Sequence, residues 1–261
     1  MRASTRARPL GWIGSLIAFL IVASTIYVTH YVLIPAYTAR TGHPYLVGYL
    51  WGWGTNMATV FAASLVLYRA ERHPIAWRAF SARYRLDRMP AQDWLWTLAV
   101  LIGVVGAYLG LSFTARWLAQ IPLFAPHPAY PPDLGPEGLA AAVPGQLFGM
   151  PLRGQWWVAG VYFVGWVLNI LGEEFFYRGW MLPSQELAFG RYAWLVNGTM
   201  FAFQHTLQPW NYLAIWPGAL FMAYVVQRRR NTWIGIIQHG LMNLSLFVYV
   251  LSGVSGLGVS G

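Results

Sequence analysis

The chain has 261 residues, of which 57% are hydrophobic and only 10% are charged. Soluble domains carry roughly 25% charged residues, so a soluble globule is excluded, and the lack of cysteine excludes disulfides, thiol catalysis and cysteine-ligated metals. The net charge of +9 comes from arginine alone, and because the arginines fall between long apolar runs we expect no nucleic-acid binding. The composition predicts an all-α, polytopic integral membrane protein.

Apolar runs long enough to cross a bilayer, at about 20 residues each, predict about seven transmembrane helices. In chain order they cover residues 11–35, 45–68, 93–115, 156–178, 193–208, 211–227 and 232–252. The count rises to eight if a re-entrant or interfacial helix is included. The first run is too long for the apolar region of a signal peptide, so we expect an uncleaved first helix. We expect one transmembrane domain over residues 1–251 and a flexible Gly/Ser-rich tail over residues 252–261.

The arginines predict the orientation, since short cytoplasmic loops collect basic residues. If the N-terminus is inside, the three outer arginines are Arg40, Arg116 and Arg153. The fourteen inner arginines are Arg2, Arg6, Arg8, Arg69, Arg72, Arg78, Arg83, Arg85, Arg88, Arg178, Arg191, Arg228, Arg229 and Arg230. A chain without lysine is typical of a GC-rich bacterial genome. We therefore expect a multi-pass protein of a bacterial inner or plasma membrane with a cytoplasmic N-terminus.

Two connections between the predicted helices are distinctive. Residues 69–92 carry six arginines, and Trp77, Phe80 and Tyr84 recur at helical spacing. This pattern predicts either a helix lying on the inner leaflet, in contact with membrane lipids, or a basic loop that only anchors the topology. Residues 116–155 contain eight of the sixteen prolines and predict a long, irregular outer loop with a short re-entrant piece near residues 139–143.

Three short polar motifs lie in apolar sequence near the C-terminus. They are Glu173-Glu174-x-x-x-Arg178, Phe201-x-x-x-His205 and His239-x-x-x-Asn243. Ionisable groups inside a membrane are costly, so each of them indicates a functional site. Each motif alone also has a plain structural interpretation: a salt bridge at a helix end, a core histidine, and a polar contact between helices.

The spacing within the motifs indicates how their side chains divide the work. On a helix Glu174 and Arg178 share a face and can pair, whereas Glu173 is rotated about 100° away. One carboxylate is therefore neutralised, and the other is left to act as a general base on water. His239 and Asn243 are one turn apart and can present two hydrogen-bond donors to a developing oxyanion. Such a set of groups is suited to hydrolysis of an amide bond.

With all three motifs complete and in order, the sequence resembles the CAAX-protease and bacteriocin-processing family of intramembrane glutamic endopeptidases. The resemblance covers about residues 160–250, which we take as the catalytic core. It implies a catalytic base, a histidine that works with that base on the attacking water, and an oxyanion-binding pair. By matched position these residues are Glu173, His205, His239 and Asn243.

The resemblance also implies supporting groups, a substrate class and a cofactor requirement. Arg178 is expected to orient the glutamate pair, with Glu174 in support. The mechanism is expected to be glutamate-dependent and to use no metal or other cofactor. The expected substrate is a membrane-associated peptide or protein. Prenylated C-termini are the substrates of eukaryotic relatives, whereas in bacteria the options are peptide maturation, leader removal and self-immunity to a bacteriocin.

Three alternatives stay open at this point. A zinc-dependent version of the same protease would use a glutamate and two histidines as ligands. A non-proteolytic membrane scaffold or regulator would retain the fold. A transporter or proton relay would use the same buried groups.

The predicted helices leave the depth of His205 unexplained. At about 1.5 Å per residue, Glu173 and His239 lie roughly 10–12 Å from the inner surface. His205 lies roughly 20 Å from it if its helix begins at Tyr192. Because these groups must converge, we expect residues 184–195 to dip inward or lie along the membrane, and a cavity to open toward the inner side.

Overall fold

The chain folds into a bundle of helices, which confirms the predicted all-α membrane class. The structure is a computed structural model that describes residues 7–257. Arg2, Arg6 and residues 258–261 of the expected tail lie outside the described residues. Within the described part, the only sheet pairs two short antiparallel strands, β1 (Gln146–Leu147) and β2 (Met150–Pro151).

The first half of the chain supplies three long helical segments and short connecting helices. Its helices are α1 (Trp12–Val28), α2 (Ile34–Thr41), α3 (Tyr45–Ala70), α4 (Trp77–Tyr84), α5 (Ala91–Leu111) and α6 (Thr114–Leu118). A π-helical turn, Thr29–Leu33, joins α1 to α2 without a break. The arginine-rich connection contains the short helix α4, and its Tyr84 is completely buried in protein.

The second half carries the three motifs. Its helices are α7 (Trp156–Glu173), a π-helix (Glu174–Met181), α8 (Leu182–Phe189), α9 (Ala193–Phe203), α10 (Tyr212–Arg229) and α11 (Trp233–Ser255). Because α11 continues to Ser255, residues 252–255 of the expected flexible tail are helical.

Five helical segments within residues 7–257 are long and apolar enough to cross a membrane. They are Trp12–Thr41, Tyr45–Ala70, Ala91–Leu111, Trp156–Phe203 and Trp233–Ser255. The expected count was about seven, and it included α9 and α10 as separate spans. The fifth predicted span is reduced to α9, whose 11 residues extend only about 17 Å. The sixth is the 18-residue α10, which contains Pro217 and is not among the five segments.

One continuous helix explains the depth of His205. The predicted fourth span ends at residue 178, but the helix continues through the π-helix and α8 to Phe189. Glu173 therefore lies about 24 Å along the helix from Phe189, and His205 lies about 18 Å from Ala193, the first residue of α9. Residues 184–189 are helical, and α9 starts at Ala193, where the fifth span was predicted to begin.

Buried ion pairs gather at one end of the bundle. Asp93 accepts hydrogen bonds from Arg229 Nε at 2.6 Å and from Asn231 Nδ2 at 2.9 Å. Arg85 donates both of its terminal nitrogens to Glu186, each at 2.6 Å. The contacts join the ends of α4, α5, α8 and α10. We call this region, formed by residues 69–93, 184–186 and 228–232, the arginine-rich end.

The proline-rich segment 116–155 covers the opposite end. It contains three short 3₁₀ turns and the β1–β2 pair. Where a re-entrant piece was expected, the chain makes a single 3₁₀ turn, Gly138–Ala141, so that expectation is wrong. The buried carboxylate of Asp133 accepts a hydrogen bond from the backbone N–H of Phe148 at 2.5 Å, which closes the segment on itself.

Close packing of α3 against α7 sets the position of the first motif. A Cβ at Gly172 would lie 2.9 Å from the carbonyl oxygen of Met57 and 3.2 Å from the backbone nitrogen of Phe61. Backbone atoms cannot move aside like the end of a side chain. The residue before Glu173 must therefore be glycine for the two helices to approach this closely.

We predict that Gly172→Ala lowers the free energy of unfolding by about 1–3 kcal/mol, as overpacking usually does. The matched control is Gly160→Ala on the same helix, where a Cβ meets nothing within 4 Å. The control should be neutral or up to about 1 kcal/mol more stable, because alanine favours helix. Thermal unfolding in detergent micelles measures both. Equal stability of the two variants would contradict the packing argument.

Candidate active site

The first motif lies where α7 changes into the π-helix. Glu173 is the last residue of α7, and Glu174 is the first residue of the π-helix. Glu173 is 4% exposed, and both Glu174 and Arg178 are completely buried. A π-helix is a rare, wider turn that often marks functional sites. Here it holds two carboxylates and a guanidinium inside apolar helices.

Glu174 is the charged centre of this arrangement. Its Oε1 lies 3.5 Å from Nη1 of Arg178 and 3.1 Å from Nδ1 of His239. Its Oε2 lies against Gly235 of α11, where a Cβ would fall far inside van der Waals contact. The pairing of Glu174 with Arg178 expected from the sequence is present, and Glu174 has a second, unexpected partner in His239.

His239 lies between the two carboxylates. Its Nδ1 faces Glu174 Oε1 at 3.1 Å, and its Nε2 faces Glu173 Oε2 at 3.8 Å. When Nδ1–H donates to Glu174, that hydrogen bond fixes the orientation of the ring and directs Nε2 toward Glu173. The first and third motifs are therefore in direct contact.

His205 follows α9 in a turn rather than lying inside a helix. Its Nδ1 donates to the carbonyl oxygens of Phe201, at 3.0 Å, and Ala202, at 3.2 Å. These bonds leave Nε2 as the acceptor of the neutral ring. The contacts orient the imidazole without using its second nitrogen.

Phe201 links the three motifs through its ring. Its centroid lies 5.3 Å from that of His205 and 5.9 Å from that of His239, both edge to face. The Arg178 guanidinium lies 3.7 Å from the Phe201 centroid, a cation–π contact. No role was predicted for Phe201 from the sequence, although it is the first residue of the second motif.

Asn169 is a site residue that the sequence analysis missed. Asn243 Nδ2 donates to Asn169 Oδ1 at 3.2 Å, and Asn169 Nδ2 contacts Met57 Sδ at 3.1 Å. Asn169 lies four residues before Glu173, so the two side chains share one face of α7. That spacing in an apolar helix was the signal that could have identified it.

These side chains line one cavity of about 400 Å³. The predicted residues that line it are Glu173, His205, His239 and Asn243, whereas Glu174 and Arg178 lie behind its wall. The lining continues to Leu134, Leu139 and Phe148 of the proline-rich segment. Of the described lining residues, none belongs to the arginine-rich end. The cavity therefore extends toward the end opposite to the one expected.

Across residues 7–257, no group of three or more His, Asp or Glu side chains is arranged to hold a metal ion.

The fold and the site together define a polytopic membrane protein whose helices enclose an acid, imidazole and amide site. Residues 155–245 match the family model described as type II CAAX prenyl endopeptidase Rce1-like, which confirms the family resemblance of the three motifs. At the family level the match supports a CAAX-type intramembrane endopeptidase, a hydrolase with a membrane-associated peptide substrate. No curated protein and no solved structure matches the chain.

We predict that Gly235→Ala lowers peptide hydrolysis at least tenfold while the protein still folds, because a methyl group there must displace the Glu174 carboxylate from His239. The matched control is Gly240→Ala on the same helix, where the nearest atom to a Cβ is the flexible Ile170 Cδ1 at 3.4 Å. The control should keep activity within about twofold. Steady-state rates and gel-filtration profiles of both variants test this. Full activity of Gly235→Ala would show that the position of Glu174 is not critical.

Proposed function

We propose that the protein is an intramembrane endopeptidase in which Glu173 and His205 activate water and His239 and Asn243 stabilise the oxyanion. The observation that carries this proposal is that these four side chains line one cavity. Within it Glu173 lies 3.8 Å from His239.

Water activation is the proposed task of Glu173. Its Oε2 is buried and has no hydrogen-bond partner within the described protein. An oxygen in that state can accept a proton from water as the water oxygen attacks the peptide carbonyl carbon. The tetrahedral intermediate then collapses, the C–N bond breaks, and Glu173 returns the proton to the leaving amine. The acceptor Nε2 of His205 can orient the same water molecule.

Stabilisation of the oxyanion is the proposed task of His239 and Asn243. With both ring nitrogens protonated, His239 donates from Nδ1 to Glu174 and from Nε2 to the substrate oxygen. Glu174 supplies the opposite charge for that imidazolium. Asn243 uses one N–H for Asn169 and keeps the other for the oxyanion. Preorganised donors of this kind act strongly where water is excluded.

The proposed support pair is Glu174 and Arg178. Arg178 is held between the Glu174 carboxylate and the ring of Phe201, so its charge remains beside the glutamates without entering the cavity. This fits a role in orienting the pair rather than in touching the substrate.

The proposed substrate is a membrane-associated peptide or protein with an extended apolar segment. Aromatic side chains line the cavity beyond the polar groups, among them Tyr49, Trp53 and Tyr162. They suit apolar side chains on either side of the reacting bond. A bacterial inner or plasma membrane with a cytoplasmic N-terminus is the proposed location, because the arginines gather at one end of the bundle.

We predict that Glu173→Gln lowers peptide hydrolysis by at least about 10³-fold, because a neutral amide cannot accept the proton from water. The matched control is Glu137→Gln in the proline-rich segment, where the side chain pairs with the exposed Arg116. Peptidomes of cells carrying each variant should differ from wild type only for Glu173→Gln, and the accumulated peptide is the substrate. Complementation of a deletion by Glu173→Gln would instead support the scaffold or regulator alternative.

We predict that hydrolysis by purified protein in lipid nanodiscs is unaffected by 1,10-phenanthroline or EDTA, because proton transfer through Glu173 needs no Lewis acid. The control is a zinc peptidase inhibited under the same conditions. Loss of activity that zinc restores would favour the zinc-dependent alternative.

A further inference from the structure

A proline at the start of α8 removes one backbone N–H from the turn that follows the π-helix. Pro183 is near the start of α8 and has no N–H group. In an α-helix that missing donor would have bonded the carbonyl of Gly179, four residues earlier. A buried carbonyl without a partner is costly, so a side-chain donor that reaches Gly179 O strengthens this turn.

Arg83 of α4 supplies that donor from a distant part of the chain. Its Nη1 donates to Gly179 O at 2.8 Å, and its Nη2 donates to Trp180 O at 3.1 Å. Nη2 also lies 3.2 Å from Ser184 Oγ. Arg83 is only 3% exposed. One guanidinium thus binds the last turn of the π-helix and the first turn of α8.

A second set of contacts, made with Glu71, fixes the position of Arg83. Glu71 accepts from Arg83 Nε at 2.6 Å and from Nη2 at 2.8 Å, the two-point geometry that suits a guanidinium and a carboxylate. Glu71 also accepts from the indole Nε1 of Trp180 at 3.0 Å. The ring of Tyr84 lies directly against Gly179, where a Cβ would overlap it.

We propose that Arg83 is a positioning residue for the active site: it holds the C-terminal end of the π-helix so that Glu174 and Arg178 keep their places. The proposal rests on the function proposed above for the catalytic residues. Arg178 and Gly179 are adjacent, so a hydrogen bond to the carbonyl of Gly179 fixes the backbone that carries the Arg178 guanidinium. Without it, the backbone that carries Arg178 loses its hydrogen bonds to α4, and the guanidinium can move from its place between Glu174 and the ring of Phe201.

Through Arg83, the arginine-rich connection has a task beyond fixing the membrane topology. Arg83 is buried and bonded to the catalytic helix, whereas Arg78 on the same short helix is exposed. Substituting each of the two arginines in turn therefore distinguishes the effect of positive charge near the membrane from the effect of hydrogen bonding to the π-helix.

The first test compares Arg83→Gln, Arg83→Lys and Arg78→Gln in the full chain in nanodiscs. We expect Arg83→Gln to lower kcat about tenfold or more with KM within about threefold, since the catalytic groups shift while the substrate cavity remains. Arg83→Lys keeps the charge, but one ammonium group cannot reproduce the forked contacts of the guanidinium with Glu71 and with both carbonyls, so its kcat should be intermediate. Arg78→Gln should match wild type. Unchanged kcat in folded Arg83→Gln would overturn the proposal.

The second test restores the missing donor. Pro183→Ala returns an N–H that can bond Gly179 O, so the double variant Arg83→Gln/Pro183→Ala should recover most of the kcat lost in Arg83→Gln. If the two changes are independent and additive in their effects, the proposal fails.

A third measurement does not depend on proteolysis. Hydrogen exchange of backbone amides over residues 174–189 should accelerate in Arg83→Gln and return toward wild type in the double variant. If Glu173→Gln proves fully active, the proposed function fails while this exchange result still decides whether Arg83 holds the π-helix. Unchanged exchange in Arg83→Gln overturns the positioning role.

Discussion

The buried carboxylate of Glu174 is the group on which the rest of the site depends. It is completely buried, and a buried charge is tolerated only when other groups neutralise and hydrogen-bond it. Its partners come from two elements: Arg178 from the π-helix and His239 from α11. Removing one partner of such a pair typically costs about 3–5 kcal/mol. The first and third motifs must therefore pack together for either to be stable, which couples the fold to the chemistry.

Glycines make this approach of the helices possible. Gly235 leaves room for the Glu174 carboxylate, Gly172 admits the backbone of α3, and Gly179 admits the ring of Tyr84. Gly172 and Gly179 are each next to a first-motif residue in the chain. Gly235 faces a first-motif residue directly. Lipid gives no hydrophobic driving force between helices, so close packing and polar contacts must hold them. The helix formed by α7 and the π-helix has both kinds of contact at the same few residues.

The sequence predicted the membrane class and the motif residues because both follow from local patterns. Apolar length identifies helices, and the i, i+4 spacing of Glu174 and Arg178 predicts their contact. The continuation of the helix to Phe189 was not predictable in this way, because Arg178 and Pro183 resemble a helix end. In the structure Arg178 is buried against Phe201, and Arg83 donates hydrogen bonds to two carbonyls of the longer helix. Asn169 was missed because its partner Asn243 lies 74 positions away.

The two ends of the bundle differ in the kind of contact that holds them. At the arginine-rich end, Asp93 and Glu186 each bind an arginine of another helix, and Arg83 joins α4 to the π-helix. Such directional contacts restrict movement of the helices they join. At the other end, the cavity is covered by a proline-rich segment of short turns. Most of the backbone of this segment has no regular ladder of hydrogen bonds. Moving the segment away from the cavity therefore costs less free energy than separating the helices that the ion pairs join. A peptide reaching Glu173 from that end would displace turns and leave the ion pairs intact.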